Sequence, residues 1–300
     1  MEQDRITEQN NPRSKGFSRL STAEMLRVIN SEDQTVALAV EKELDAIAAA
    51  ADAASANLAA GGRMYYFGAG TSGRLGIIDA GELPCTYGVP REMVQAIIAG
   101  GPEAVYDAAM GDEDSCESGY NEALALKIGA ADVIIGIAAS GQTPYVLGAV
   151  RAGKEADAVT IGICNNKASR LAWEAAYPIA VETGPEVIEG STRMKAGTAQ
   201  KMVLNMLSTV IMTRLGYVYG NYMVRMQPNN AKLYERAAHI VRMCTRASSD
   251  ACREALAQCG QRIDTAILMI LLNLSVEKAD GLLKAHAYSI DRVLDAQLKS

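Results

Sequence analysis

The sequence predicts an α/β protein: a parallel five-stranded sheet flanked by helices, with an N-terminal helical arm and a small C-terminal helical subdomain. Three observations predict it. Five short β-prone runs, Met64–Phe67, Met93–Ile98, Asp132–Ala138, Ala158–Ile163 and Tyr177–Val181, alternate with segments of helical apolar spacing, the pattern of a parallel sheet covered on both faces. Two of these runs end in turns rich in glycine and hydroxyls. From about His239 to Ser300 only short amphipathic helical stretches follow, with no strand signal. The expected divisions are 1–60, a flexible lead-in and helical arm; 61–225, the sheet domain; and 239–300, the helical subdomain.

Three hundred residues at 49% hydrophobic content can fill one large core and a smaller appendage. A net charge of -6 argues against an electrostatic grip on nucleic acid. Six cysteines form no Cys-x-x-Cys pair, and Met1 to Phe17 is polar, without the apolar core of a signal peptide. Reduced thiols and a cytoplasmic address are expected. The most apolar run, Ile263 to Leu274, is too short to cross a bilayer core of about 30 Å, so it reads as a core helix and no membrane partner is expected.

Taken in order, Ser21-x-x-Glu24 and Ser31-x-x-Gln34 both spell capping boxes. They predict a short helix and then a long Ala-rich one reaching Ala60, stopped by Gly61-Gly62, an arm suited to packing across a partner subunit. The first strand runs into Gly68-Ala-Gly-Thr-Ser-Gly-Arg74 and then into helical spacing. A helix head of this kind seats an anion, because its first N–H groups are unpaired and partly positive. Gly70 lets the backbone approach, and Thr71 and Ser72 add hydroxyls. The same letters spell Gly-x-Gly-x-x-Gly, but a dinucleotide site wants an acidic residue closing the second strand. That strand ends in Ala99-Gly100-Gly101, which puts a nicotinamide or flavin site behind an anion seat and a plain glycine turn.

The strand ending at Ala138 repeats the theme with Ser140, Gly141 and Thr143 before Pro144, whose missing N–H costs nothing in a first helical turn. Two such turns in one sheet favour a sugar phosphate over a nucleoside triphosphate, and no Gly-x-x-x-x-Gly-Lys-[Ser/Thr] occurs. Ligands are expected at the carboxyl ends of these strands, where strand order reverses. Further on, Glu189, Ser191, Thr192, Arg193 and Lys195 crowd the head of a long apolar helix. They read either as an N-cap with a solvated first turn or as groups serving a substrate.

His239 and His286, the only histidines, lie in the tail, so the α/β part has no material for a zinc site or a Ser-His-Asp triad. Proton transfer falls to carboxylates, Lys or Tyr. Glu82, in Gly81-Glu-Leu-Pro84 among apolar neighbours, is placed for desolvation to raise its pKa. Glu113 lies in the acidic loop Gly111-Asp-Glu-Asp-Ser-Cys-Glu117. A calcium loop starting at Asp112 fails, since its sixth and twelfth positions are Glu117 and Ala123, and a solvated acidic turn stands beside an acid–base role.

Phe67-Gly-Ala-Gly-Thr-Ser-Gly-Arg-Leu-Gly76, Pro84-Cys-Thr-Tyr-Gly88, Ile137-Ala-Ala-Ser-Gly-Gln-Thr-Pro-Tyr145 and Gly190-Ser-Thr-Arg-Met-Lys-Ala-Gly-Thr198 resemble the N-acetylmuramic acid 6-phosphate etherases of the sugar isomerase (SIS) superfamily. The likeness runs from Thr7-Glu-Gln-Asn10 into the helical tail; Gly81, Leu83 and Asp112 depart from the pattern. The resemblance implies an SIS-type sheet and a cytoplasmic, homodimeric lyase of cell-wall recycling. Such an enzyme cleaves the D-lactyl ether of N-acetylmuramate 6-phosphate to N-acetylglucosamine 6-phosphate and D-lactate. It also implies Glu82 as proton donor and Glu113 as the second acid–base residue, with no metal or redox cofactor required. Gly70, Thr71, Ser72, Ser140, Gly141, Thr143, Glu189, Ser191 and Lys195 are the expected sugar-phosphate contacts. A sugar-phosphate isomerase and a non-catalytic sugar-phosphate sensor of the same superfamily remain the other readings.

Overall fold

β-Branched and aromatic runs form the strands β1 (Met64–Gly68), β2 (Val94–Ile98), β3 (Val133–Ile137), β4 (Val159–Cys164) and β5 (Tyr177–Ala180), within one residue of the expected bounds. β1 and β3 are buried at every position, as strands covered on both faces must be. The structure, a computed structural model, describes residues 6–107 and 111–298. Strand order is β2-β1-β3-β4-β5 with every pair parallel. The chain leaves β1 on one side for β2 and returns on the other for β3. Order therefore reverses at β1, and a crevice opens between the carboxyl ends of β1 and β3, where such sheets bind ligands.

Two units divide the chain: residues up to Gly81 with Glu92–Ser208, and Glu82–Arg91 with Thr209 onward. In the first, helix α1 (Thr22–Glu41) opens on the expected capping box, with Ser21 Oγ accepting from the Glu24 N–H and the Ser21 N–H donating to the Glu24 carboxylate. The second box does not start a helix. Ser31 lies inside α1, Gln34 donates its amide to Asn30 Oδ1 one turn back, and the break comes at Lys42–Glu43, before α2 (Leu44–Ala59). Ahead of α1, the lead-in from Ile6 is held by hydrogen bonds to distant residues: the Ile6 N–H to Asn166 Oδ1, Asn10 to Glu189 and Asn11 to the Pro185 carbonyl. Residues 1–5 of the expected flexible stretch lie outside the described residues.

After β1 comes α3 (Gly70–Tyr87). The remaining helices around the sheet are α4 (Cys116–Ala125), α5 (Pro144–Glu155), α6 (Arg170–Glu174) and α7 (Lys195–Arg214). α4 and α5 pack nearly backbone to backbone through two glycines. A Cβ on Gly148 would sit 2.0 Å from the Cys116 carbonyl oxygen, and one on Gly119 1.9 Å from that of Tyr145. This contact fixes the acidic turn leading into α4 beside the turn leading into α5. We expect Gly148→Ala to destabilise by about 1–3 kcal/mol, as overpacking does, lowering the denaturant midpoint at unchanged slope. Gly129→Ala, with open space at the same position, is the neutral control.

Among its described residues the second unit holds a two-stranded antiparallel pair, β6 (Val218–Tyr219) and β7 (Tyr222–Met223), followed by the helices α8 (Ala231–Thr245), α9 (Ser249–Gln258), α10 (Ile263–Leu272), α11 (Val276–Ala285) and α12 (Ile290–Leu298). α10 is its core helix, buried from Ile263 to Met269. Among the described residues no single helix is long and apolar enough to cross a membrane. All six cysteines are free.

Candidate active site

At the carboxyl ends of β1 and β3 lies a cavity of about 940 Å³, within the range of small-ligand sites. Its lining joins the head of α3 (Gly70, Thr71, Ser72), the turn into α5 (Ser140, Gln142, Thr143, Pro144) and four carboxylates, Glu8, Glu113, Asp114 and Glu189. Close packing places the first of these. A Cβ on Gly68 would stand 2.6 Å from the Gly73 nitrogen, and one on Gly73 2.6 Å from Ile98 Cγ1, so only glycines let α3 start directly from the strand end. Thr143 is the N-cap of α5 yet makes no side-chain cap bond, which leaves its hydroxyl to the cavity. Both helix heads offer unpaired N–H groups and a partial positive charge to an anion.

Buried side chains hold these turns in place. Ser72 is 8% exposed and its hydroxyl donates to Gln200 Oε1; the Gln200 amide donates to Asn165 Oδ1, and that of Asn165 to the Val181 carbonyl. This chain ties the α3 head to α7 and to the ends of β4 and β5, and it commits the Ser72 proton to the scaffold rather than to a ligand. Gly141 does not line the cavity. It makes the turn, at φ +64, with its N–H donating to the Ala138 carbonyl and its carbonyl accepting from Leu171. Ser140 lines the cavity while its hydroxyl accepts from the Gln142 N–H. Arg74, the cation of the glycine turn, donates to the carbonyls of Ala104 and Val105. Farther along α3, Asp79 accepts from Tyr66, Asn205 and Ser208; burial pushes its carboxyl up, against the lowering effect of those hydrogen bonds.

The charged block at the head of α7 is mostly structural. Glu186, 1% exposed, accepts from the N–H groups of Lys195 and Ala196, so this helix head carries its own anion. Lys195 is also 1% exposed and its ammonium donates to Glu32 Oε2 at 2.7 Å, while Arg13 reaches Glu32 Oε1 at 2.6 Å. Burial raises the Glu32 carboxyl, but hydrogen bonds from Lys195 and Asn11 and the charges of Lys195 and Arg13 outweigh it and hold the group below its ordinary value. Lys195 was expected on the ligand; it is locked in this pair instead, because an unpaired buried ammonium is too costly. Ser191 is half-buried and, unlike Glu189 and Thr192 on either side of it, does not line the cavity. Glu189 lines the cavity and accepts from Asn10.

Glu113 lies on the cavity in the turn Asp112–Asp114, directly before Ser115, which caps α4. Glu82 is exposed rather than shielded by its apolar neighbours, and it belongs to the second unit, whereas the residues lining the cavity belong to the first. Leu83 and Tyr87 take the buried positions, and the helix turns Glu82 outward. Reading from sequence missed Glu8, Glu32, Asn165, Asn166, Glu186 and Gln200. The two asparagines had a local signal, a polar pair directly after a strand. Glu8 stood in the Thr7-Glu-Gln-Asn block without a role attached. The others act across more than a hundred residues of chain or through a single buried carboxylate, and spacing does not reveal that.

Three family models match the chain: the glucokinase regulatory protein N-terminal SIS domain over residues 25–154, the SIS domain over 117–210, and the C-terminal lid domain of glucokinase regulatory protein over 220–264. An N-acetylmuramic acid 6-phosphate etherase of Pectobacterium atrosepticum is 48% identical over 94% of this chain and 93% of its own length. One of Symbiobacterium thermophilum is 51% identical over 89% and 88%. Among solved structures, a phosphoheptose isomerase from Francisella tularensis superposes with TM-score 0.50 at 18% identity, covering 65% of this chain and all (100%) of that one. That likeness is one of fold.

Proposed function

The chain belongs to the N-acetylmuramic acid 6-phosphate etherase family, and on that premise we propose how its cavity carries out the family's reaction. The protein is a lyase that cleaves the D-lactyl ether of N-acetylmuramate 6-phosphate, giving N-acetylglucosamine 6-phosphate and D-lactate in the recycling of cell-wall amino sugars. The observation carrying the mechanism is that two helix heads and the Glu113 carboxylate line one cavity at the reversal of strand order.

In our reading the phosphate sits on the first turns of α3 and α5, held by backbone N–H groups with the hydroxyls of Thr71 and Thr143. In the open-chain sugar the C2 proton is acidic, because C1 is an aldehyde, and the lactyl oxygen on C3 is a β-leaving group. Glu113 takes the C2 proton, the C3–O bond breaks, and a carboxylic acid protonates the departing lactate. Water then adds to C3 of the unsaturated aldehyde and the C2 proton returns.

Glu82 is the donor by its place in the motif. Its side chain is exposed on α3, open to another subunit. The family resemblance implies a homodimer, in which an exposed acid on one chain can serve the cavity of the other. We therefore assign the acid to Glu82 of the partner subunit in a cytoplasmic homodimer. Purified protein is expected to release lactate from N-acetylmuramate 6-phosphate. Glu82→Gln and Glu113→Gln, each nearly inactive alone, are expected to recover roughly a quarter of wild-type activity when their chains are exchanged in equal amounts, since half the dimers are then mixed and each carries one intact site. No lactate from the wild type rejects the etherase reading; no recovery on mixing rejects the shared site.

A further inference from the structure

The segment Ile6–Ser14 lies across the polypeptide like a strap fastened at both ends. At one end Asn166, 7% exposed, accepts from the Ile6 N–H and donates to Thr7 Oγ1. The same Asn166 amide donates to the carbonyls of Ala139 and Ser140, so one side chain fastens both the strap and the turn into α5. At the other end Asn10 donates to Glu189, Asn11 to the Pro185 carbonyl, and Arg13 pairs with Glu32. Thr7 is 1% exposed. Between the fastenings Glu8 lines the cavity. Its Oε2 stands 3.4 Å from where a Cβ on Gly190 would be, and its Oε1 accepts from Thr7 Oγ1 at 3.3 Å.

We propose that Glu8 is a substrate-contacting residue that accepts a hydrogen bond from a donor on the hexose itself, and so selects the sugar rather than its phosphate. The inference rests on the etherase reading above. A carboxylate only accepts, and next to the phosphate or the lactyl carboxylate it would repel. Glu8 therefore faces the neutral middle of the substrate. There O3 carries the ether and O6 the phosphate, so neither has a hydrogen to give. The remaining donors are the acetamido N–H on C2 and the free hydroxyls.

The test compares wild type with Glu8→Ala by turnover and by calorimetric titration with inorganic phosphate, N-acetylglucosamine 6-phosphate and 2-deoxyglucose 6-phosphate. Loss of a hydrogen bond to a charged acceptor should raise KM and the Kd for N-acetylglucosamine 6-phosphate by about tenfold or more. kcat should fall less than the Kd rises, and the Kd for inorganic phosphate should hold. If the donor is the acetamido N–H, the substitution leaves 2-deoxyglucose 6-phosphate binding unchanged; if it is a hydroxyl, that Kd rises too. Either pattern supports the assignment. Unchanged sugar-phosphate affinity overturns it, as does an equal loss for inorganic phosphate, which would mean general loosening of the site. A wild type that binds these ligands but releases no lactate removes the etherase premise instead.

Discussion

Glu113→Gln is expected to lower lactate release by about 10²–10⁴-fold, the contribution of one positioned proton transfer, while leaving N-acetylglucosamine 6-phosphate binding intact or slightly tighter. The substitution keeps size and removes the base. Glu113 is exposed in its turn and its neighbour Ser115 caps α4 through the Ser118 N–H, so the scaffold has no need of the lost charge. Binding does not suffer because Glu8, Asp114 and Glu189 line the same cavity, and one carboxylate fewer there repels a phosphorylated ligand less. Asp112→Asn, in the same turn but off the lining, is the matched comparison and should lose much less. Equal kcat losses for the two variants would remove Glu113 from the chemistry.

Glu32→Ala is expected to destabilise the protein by about 3–5 kcal/mol, the cost of leaving a buried charge unpaired. The charge left behind is the Lys195 ammonium, 1% exposed and paired with Glu32 at 2.7 Å. Chemical denaturation at neutral pH measures it, and activity should fall as well, because Lys195 opens α7 a few residues after Glu189 and Thr192 of the cavity. The pH dependence has a definite sign. Glu32 is held below its ordinary value when folded, so its contribution is complete above the unfolded carboxyl value of about 4.3 and is lost as pH falls below it. Wild type should therefore lose stability in that acid range more steeply than Glu32→Ala. Parallel curves would mean that the pair contributes little.

The sheet was legible because parallel strands buried on both faces are continuous apolar runs, and Met64–Gly68 and Val133–Ile137 are as plain as such runs become. The two helix heads were legible for a related reason: a strand that must turn at once into a helix needs Gly68, Gly73 and Gly141, and few other residues fit. The division of labour within the site was less legible. Ser72 and Lys195 carry the donors expected of ligand contacts, yet both are consumed by partners remote in sequence, Gln200 and Glu32. Ser31 carried a cap pattern that the surrounding helix formers of α1 overrode. The lead-in from Ile6 looked unstructured because its anchors, Asn166, Pro185 and Glu189, lie more than 150 residues away.

The two helix heads attract an anion without any lysine or arginine among the described lining residues. A field made of backbone dipoles and hydroxyls reaches barely a helical turn, whereas that of a free charge extends over a screening length. Background electrolyte screens the repulsion of the four lining carboxylates as well as the short-ranged attraction. Capture should thus not weaken steeply with salt as it does at a site built on lysines and arginines, and a second or third phosphoryl group on a ligand would meet no cation among the described lining residues. Lactate, released as an anion among those carboxylates, leaves with the local field behind it.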